Sequence, residues 1–123
     1  QFQRILEDCL VECMFVSLSL TYNQIVDLVA AVTGWDTGTL ELMKVSERIL
    51  TTMRLFNIRE GFTASEDVLP ERFFNPKANG ALVDKYLDRN KFENAKKYYY
   101  TLMGWDRNTG IPLPEKAEEL EIN

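Results

Sequence analysis

Histidine is absent from all 123 residues. That excludes a Ser-His-Asp or Cys-His nucleophile pair, a His-based zinc site and any imidazole acid–base within the chain. Cysteine is scarce, with Cys9 and Cys13 the only two. Two thiols make no disulfide framework, complete no tetrahedral metal site and cannot hold a four-iron cluster, which takes four thiolates. If both sat on one helix, their Cβ atoms would lie ~5–6 Å apart, beyond the ~3.5–4.5 Å of a disulfide. Reduced thiols are therefore expected, and any metal chemistry must borrow ligands from elsewhere.

Positive charge is also in deficit. Fourteen Lys and Arg against nineteen Asp and Glu leave a net charge of −5. Such a balance argues against nucleic acid as a partner, because phosphate binding needs clustered cations. The doublet Lys96-Lys97 reads as a solvated helix face. No run approaches the ~18–20 apolar residues that span a bilayer, since Ser17, Ser19, Asn23, Gln24 and Asp27 interrupt the stretch from Leu10 to Val32. Glu7, Asp8 and Glu12 stand where a secretory signal has a positive flank and an unbroken apolar core, so no membrane role is expected and the cytoplasm is the expected compartment. The chain opens on Gln1 with no initiator Met, as expected of a piece of a larger protein.

What remains is the material of one soluble helical domain, 46% apolar and 27% charged. Ile5, Leu6, Cys9, Leu10, Cys13, Val16 and Leu20 recur at helical spacing and predict a helix over 2–20. Thr21 followed by Gln24 is a capping-box signature for a second helix to about Thr33, stopped by Gly34. Thr37 or Thr39 is the expected cap of a third helix carrying Leu40, Met43, Ile49, Leu50, Met53 and Phe56, with Gly61 at its end. Pro70, Pro76, Asn75 and Asn79 mark a loop over about 63–80. A long helix is expected over 82–102, ending at Gly104. Pro114 suits the first turn of a closing helix through Leu120. No alternating β-branched run demands a sheet, so the expectation is all-α, an irregular helical bundle forming a single domain over 1–123.

The string Gly-Trp-Asp occurs at 34–36 and again at 104–106. Its expected role is structural: a helix stop, a Trp tucked against the core, and an Asp starting the next turn. Tyr98, Tyr99 and Tyr100 are expected to pack in the core or at an interface. Taken alone, Cys13 reads as a small packing residue, and Cys9 does too.

The ordered set of strings says more. Asp8-Cys9-Leu10-Val11-Glu12-Cys13 comes first, then Thr33-Gly34-Trp35-Asp36 and Phe56-Asn57-Ile58-Arg59-Glu60-Gly61-Phe62-Thr63. Leu69-Pro70-Glu71-Arg72-Phe73, Met103-Gly104-Trp105-Asp106 and Gly110-Ile111-Pro112-Leu113-Pro114-Glu115-Lys116 follow, with Glu119-Leu120 at the close. This succession resembles the carboxy-terminal domain of the tungsten-containing aldehyde ferredoxin oxidoreductase family over most of the chain.

The resemblance implies a parent enzyme that oxidises aldehydes to carboxylic acids at a tungsten (or molybdenum) bis-pterin centre. It also implies a 4Fe–4S cluster that passes the electrons to ferredoxin. In the family, an Asp-x-x-Gly-Leu-Cys element supplies a pterin contact through its Asp and the fourth cluster ligand through its Cys. Here that assigns the pterin contact to Asp8, the cluster ligand to Cys13, and a place beside the cofactor to Met14. Thiolate sulfur suits iron, and a carboxylate accepts the paired N–H donors of a pterin edge. Two residues depart from the pattern: Val11 replaces Gly, and Glu12 replaces an aliphatic residue. A β-branched residue resists positive φ, so a turn that needs it would be strained at Val11.

The matching Arg59 and Glu60 are expected to serve in a buried Arg–carboxylate pair that stabilises domain contacts, with a cofactor contact as the lesser alternative, and Glu71 and Arg72 to hold the loop against its neighbour. The isolated chain is expected to be inactive and to show an apolar patch around Cys13 where partner domains of the parent would dock. The alternative is a cofactor-free helical interaction module that keeps the fold.

Overall fold

The computed structural model describes residues 1–122, apart from the side chains of Met14 and Ser17. Six α-helices appear among them: α1 (Phe2–Cys9), α2 (Met14–Ser17), α3 (Tyr22–Thr33), α4 (Thr39–Arg59), α5 (Arg89–Leu102) and α6 (Pro114–Glu119), with one 3-10 turn at Glu71–Phe73. Trp105 and Pro112 form one isolated antiparallel bridge, and no strand forms among the described residues. The architecture is all-α. None of these helices is long and apolar enough to cross a membrane.

Local chemistry explains where the helices start. Thr21 Oγ1 accepts from the Gln24 N–H while Gln24 Oε1 accepts from the Thr21 N–H at 2.8 Å, a complete capping box for α3. The start of α4 falls on neither Thr37 nor Thr39 as a side-chain cap. Gly38 takes that place: its carbonyl accepts from the Leu42 N–H, and its N–H donates to Glu41 Oε2 at 2.7 Å. Thr39 instead donates its hydroxyl to Asn23 Oδ1. The predicted helix over 82–102 begins only at Arg89. Asp88 is extended, and its carboxylate accepts from the Lys91 N–H at 2.8 Å, so the helix nucleates there.

Four helices stop in the same way. After α1, α4, α5 and α6, one N–H bonds back three residues and the next bonds back five, the paired pattern that closes a helix through a left-handed residue. That residue is Val11, Gly61, Gly104 and Glu121 in turn. Two of the four are not glycine.

The chain divides into two compact units, 1–54 with 117–123, and 55–116. In the first, Leu6, Ile25, Val29 and Leu42 form the buried core, with Leu20, Tyr22 and Val26 packed against it. Each such buried side chain stabilises by roughly 1.5–3 kcal/mol. Burial pushes the Tyr22 phenol up, an effect partly offset by the Ser46 hydroxyl beside it. Leu120 is fully buried here as well, and its carbonyl accepts from Arg48 Nε.

In the second unit, Tyr100, Met103 and Trp105 are buried. Tyr99 meets the Trp105 ring edge-on at 5.9 Å, and the Tyr100 hydroxyl donates to Asp67. Tyr98 is exposed. Lys96 is not a solvated surface residue: its stem packs inward and Nζ donates to the Asp67 carbonyl at 3.2 Å and Glu93 Oε1 at 3.1 Å. The ammonium thereby ties the 63–70 loop to α5.

The two Gly-Trp-Asp strings differ. Both glycines have positive φ and follow a helix. Trp105 is buried, yet Trp35 is 66% exposed. Asp106 caps its turn, accepting from the N–H groups of Asn108 and Thr109 and from the Thr109 hydroxyl. Those bonds, the Thr109 hydroxyl first, hold its carboxyl below the usual carboxylate range.

Candidate functional site

The predicted helix over 2–20 breaks after Cys9, and the break builds the site. Backbone bonds from Val11 N–H to the Asp8 carbonyl and from Glu12 N–H to the Glu7 carbonyl close α1. Val11 then sits at φ 58. Cys13 follows in extended conformation as the residue preceding α2. Asp8 lies in the last turn of α1 and Cys13 beyond its end, so the two do not share one helix.

Asp8 and Cys13 are both exposed. Asp8 Oδ1 lies 3.5 Å from an Arg4 guanidinium nitrogen. Cys9 is exposed too, which corrects its reading as a packing residue, and neither cysteine forms a disulfide. The Met14 side chain lies outside the described residues. Sequence reasoning missed Glu7, the buried carboxylate of this segment, which accepts from Gln3 Nε2 at 2.9 Å and from Arg4 at 3.1 Å. Arg4 thus bridges a buried and an exposed carboxylate at the end of α1. Glu12 Oε1 is buried with no hydrogen-bond partner among the described residues.

Around the thiol, Leu10, Val11, Phe15, Val16 and Leu18 all face solvent, with Val11 92% exposed. Single exposed apolar residues are ordinary, but five within nine positions make a patch of the kind that marks an interface. Among the described residues, no three His, Cys, Asp or Glu side chains converge as a metal site would require.

The other predicted residues lie apart from this turn. Arg59 and Glu60 are neighbours 3.2 Å apart and well exposed, not buried. The reason is local: Arg59 is the last residue of α4 and Glu60 the first beyond it, and Arg59 also lies over the exposed Phe56 ring. Glu71 does brace its loop, through an ion pair with Arg89 that holds the Glu71 carboxyl below its ordinary range. Arg72 stacks over Phe73.

Residues 1–122 match the family model described as aldehyde ferredoxin oxidoreductase, domains 2 and 3. The chain belongs to this family. Its relatives include the tungsten-containing aldehyde ferredoxin oxidoreductases of Thermococcus kodakarensis, 35% identical, and Pyrococcus furiosus, 36% identical, each over 112 residues. The Pyrococcus horikoshii protein is 34% identical over the same length. Each alignment covers 89% of this chain and 18% of the relative, so the chain spans about 18% of the length of those enzymes.

The left-handed Val11 gives a direct stability prediction. A side chain at positive φ costs ~1–2 kcal/mol, and Val11 is β-branched besides. Glycine would relieve that cost while losing some through its freer unfolded chain. Val11→Gly should therefore stabilise the chain by about 1 kcal/mol, read as a higher denaturant midpoint at unchanged slope. An unchanged or lowered midpoint would mean that the valine is not strained.

Proposed function

We propose that this chain is the carboxy-terminal part of a cytoplasmic enzyme that oxidises aldehydes to carboxylic acids and delivers the electrons to ferredoxin. The family match over residues 1–122 carries the reading. The donor set around the turn fits it. A thiol and a carboxylate five positions apart are both exposed on either side of one hydrogen-bonded helix end, amid exposed apolar side chains.

In this reading Cys13 is the fourth ligand of a 4Fe–4S cluster whose other three thiolates come from elsewhere in the parent. Asp8 accepts hydrogen bonds from a pterin edge, and Met14 lies beside that cofactor. The tungsten or molybdenum centre, when bound, supplies the electron acceptor for aldehyde oxidation, with water providing the second carboxylate oxygen. This chain's own residues hold and orient. Arg4 holds Asp8 in place, the patch from Leu10 to Leu18 docks the other domains and excludes water, and the Val11 turn sets the spacing between carboxylate and thiol. One thiolate cannot complete a cluster, so the isolated chain is inactive.

The second reading, a cofactor-free interaction module, is favoured by one observation. Val11 takes a backbone conformation suited to glycine, and beside it Glu12 carries a buried oxygen with no partner among the described residues. Metal analysis separates the two. The intact parent, purified without air, should hold about four iron and four sulfide per chain with tungsten or molybdenum. It should also reduce a viologen dye when given an aldehyde. Iron and sulfide near zero, with no aldehyde-dependent reduction, would leave the module.

A further inference from the structure

The second unit carries a groove that the oxidoreductase reading does not use. It encloses about 660 Å³ and is lined by Arg72, Phe73, Lys77, Lys85, Tyr86 and Leu87. Two short segments make its walls, the 3-10 turn with Lys77 just beyond it and the residues 85–87 that follow the turn at 81–84. They are clasped by the Leu87 N–H donating to the Phe73 carbonyl at 2.9 Å and by the Glu71–Arg89 ion pair. Arg89 also lies 4.4 Å over the Phe74 ring. The walls are therefore fixed to each other and to the start of α5.

Its electrostatics run against the rest of the chain. The protein is acidic, yet three of the six lining residues are cations. Among the described residues, no carboxylate pairs with Arg72, Lys77 or Lys85. The neighbouring acids are committed: Glu71 to Arg89, and Asp88 to the α5 N-terminus. Asp84 does not line the groove. Three uncompensated cations around aromatic and aliphatic surface hold a standing attraction for a ligand that is anionic and partly apolar.

We propose that this groove docks an acidic segment of a partner protein, with carboxylates on Arg72, Lys77 and Lys85 and an apolar side chain against Phe73, Tyr86 and Leu87. A macromolecular segment suits it better than a small molecule. Every lining residue is exposed, and no buried polar group is present to anchor a small ligand. Long-range attraction to an acidic partner speeds encounter and sets register, and it weakens with salt.

The test uses the intact parent protein and needs no loaded cofactor, so its failure leaves the proposed enzyme activity untouched. The probe is a fluorescein-labelled peptide of alternating Glu and Phe, with benzoate and inorganic phosphate as small anions. The peptide should bind with affinity that falls steeply with salt. It should also protect Lys77 and Lys85 from acetylation in a mass-spectrometric footprint. The double variant Lys77→Glu/Lys85→Glu should bind roughly 10-fold or more weakly, with unchanged thermal unfolding because both side chains are exposed. Equal binding by the variant overturns the proposal. So does equal protection by benzoate or phosphate, which would mark a small-anion site. Lysines that resist acetylation without peptide also overturn it, since the parent's own chain would then cover the groove.

Discussion

Serine in place of Cys13 in the parent protein is expected to strip out the iron–sulfur cluster, with iron and sulfide falling from about four per chain to a small residue. The thiolate is the ligand iron prefers, and a serine hydroxyl is harder and far less readily ionised. The substitution is sterically slight, and Cys13 is exposed, so the turn from Asp8 to α2 should survive it. Electron delivery to ferredoxin should be lost with the cluster. Cys9→Ser is the control: that thiol is equally exposed and equally reduced, but it stands one residue past Asp8, off the matching position. Loss of the cluster from the Cys9 variant, or its retention in the Cys13 variant, would move or remove the assigned ligand.

The second large effect is structural. Ile25→Ala should destabilise the chain by about 2–4 kcal/mol, the lost transfer energy plus the cavity left behind. Ile25 is 1% exposed and packs with Leu6, Val29 and Leu42. Leu6 lies two residues before Asp8, so the same cavity loosens the helix that presents the carboxylate. Val32→Ala, on the same helix but 84% exposed, should change stability by less than about 0.5 kcal/mol. Denaturant unfolding of the two variants side by side checks both. A similar cost at both sites would mean that α3 does not pack on α1 as described.

The sequence made some of this plain because the cause was local. Thr21 and Gln24 cap one another within four residues, and Gly34, Gly61 and Gly104 occupy the left-handed positions where a side chain is penalised. Other features were hidden. The apolar spacing from Ile5 to Leu20 runs straight through the break at Val11, because the stop there uses neither glycine nor proline. Leu82, Val83, Tyr86 and Leu87 imitate a helical stripe, yet Asp88 takes the capping role and starts α5 seven residues late. Glu7 has partners three and four residues back, the same spacing as an exposed helical pair, so nothing in the string distinguishes its burial. Lys96 looked solvated because its acceptor carbonyl on Asp67 is brought near only by the tertiary fold.

The candidate site divides along the same line. The ordered family strings singled out Asp8 and Cys13 as candidates, and the strain expected at Val11 followed from its residue type once a turn needing positive φ was assumed. The cationic groove was not legible, because Arg72, Lys77 and Lys85 are scattered over fourteen positions of loop and meet only when Leu87 bonds back to Phe73.

The unlike fates of the two tryptophans give the chain a built-in optical reporter. With Trp35 open to water and Trp105 sealed beside Tyr99, a soluble quencher silences the first and spares the second. The light that remains comes from the half of the polypeptide holding the cationic groove, so melting there can be followed separately from melting around the cysteine turn.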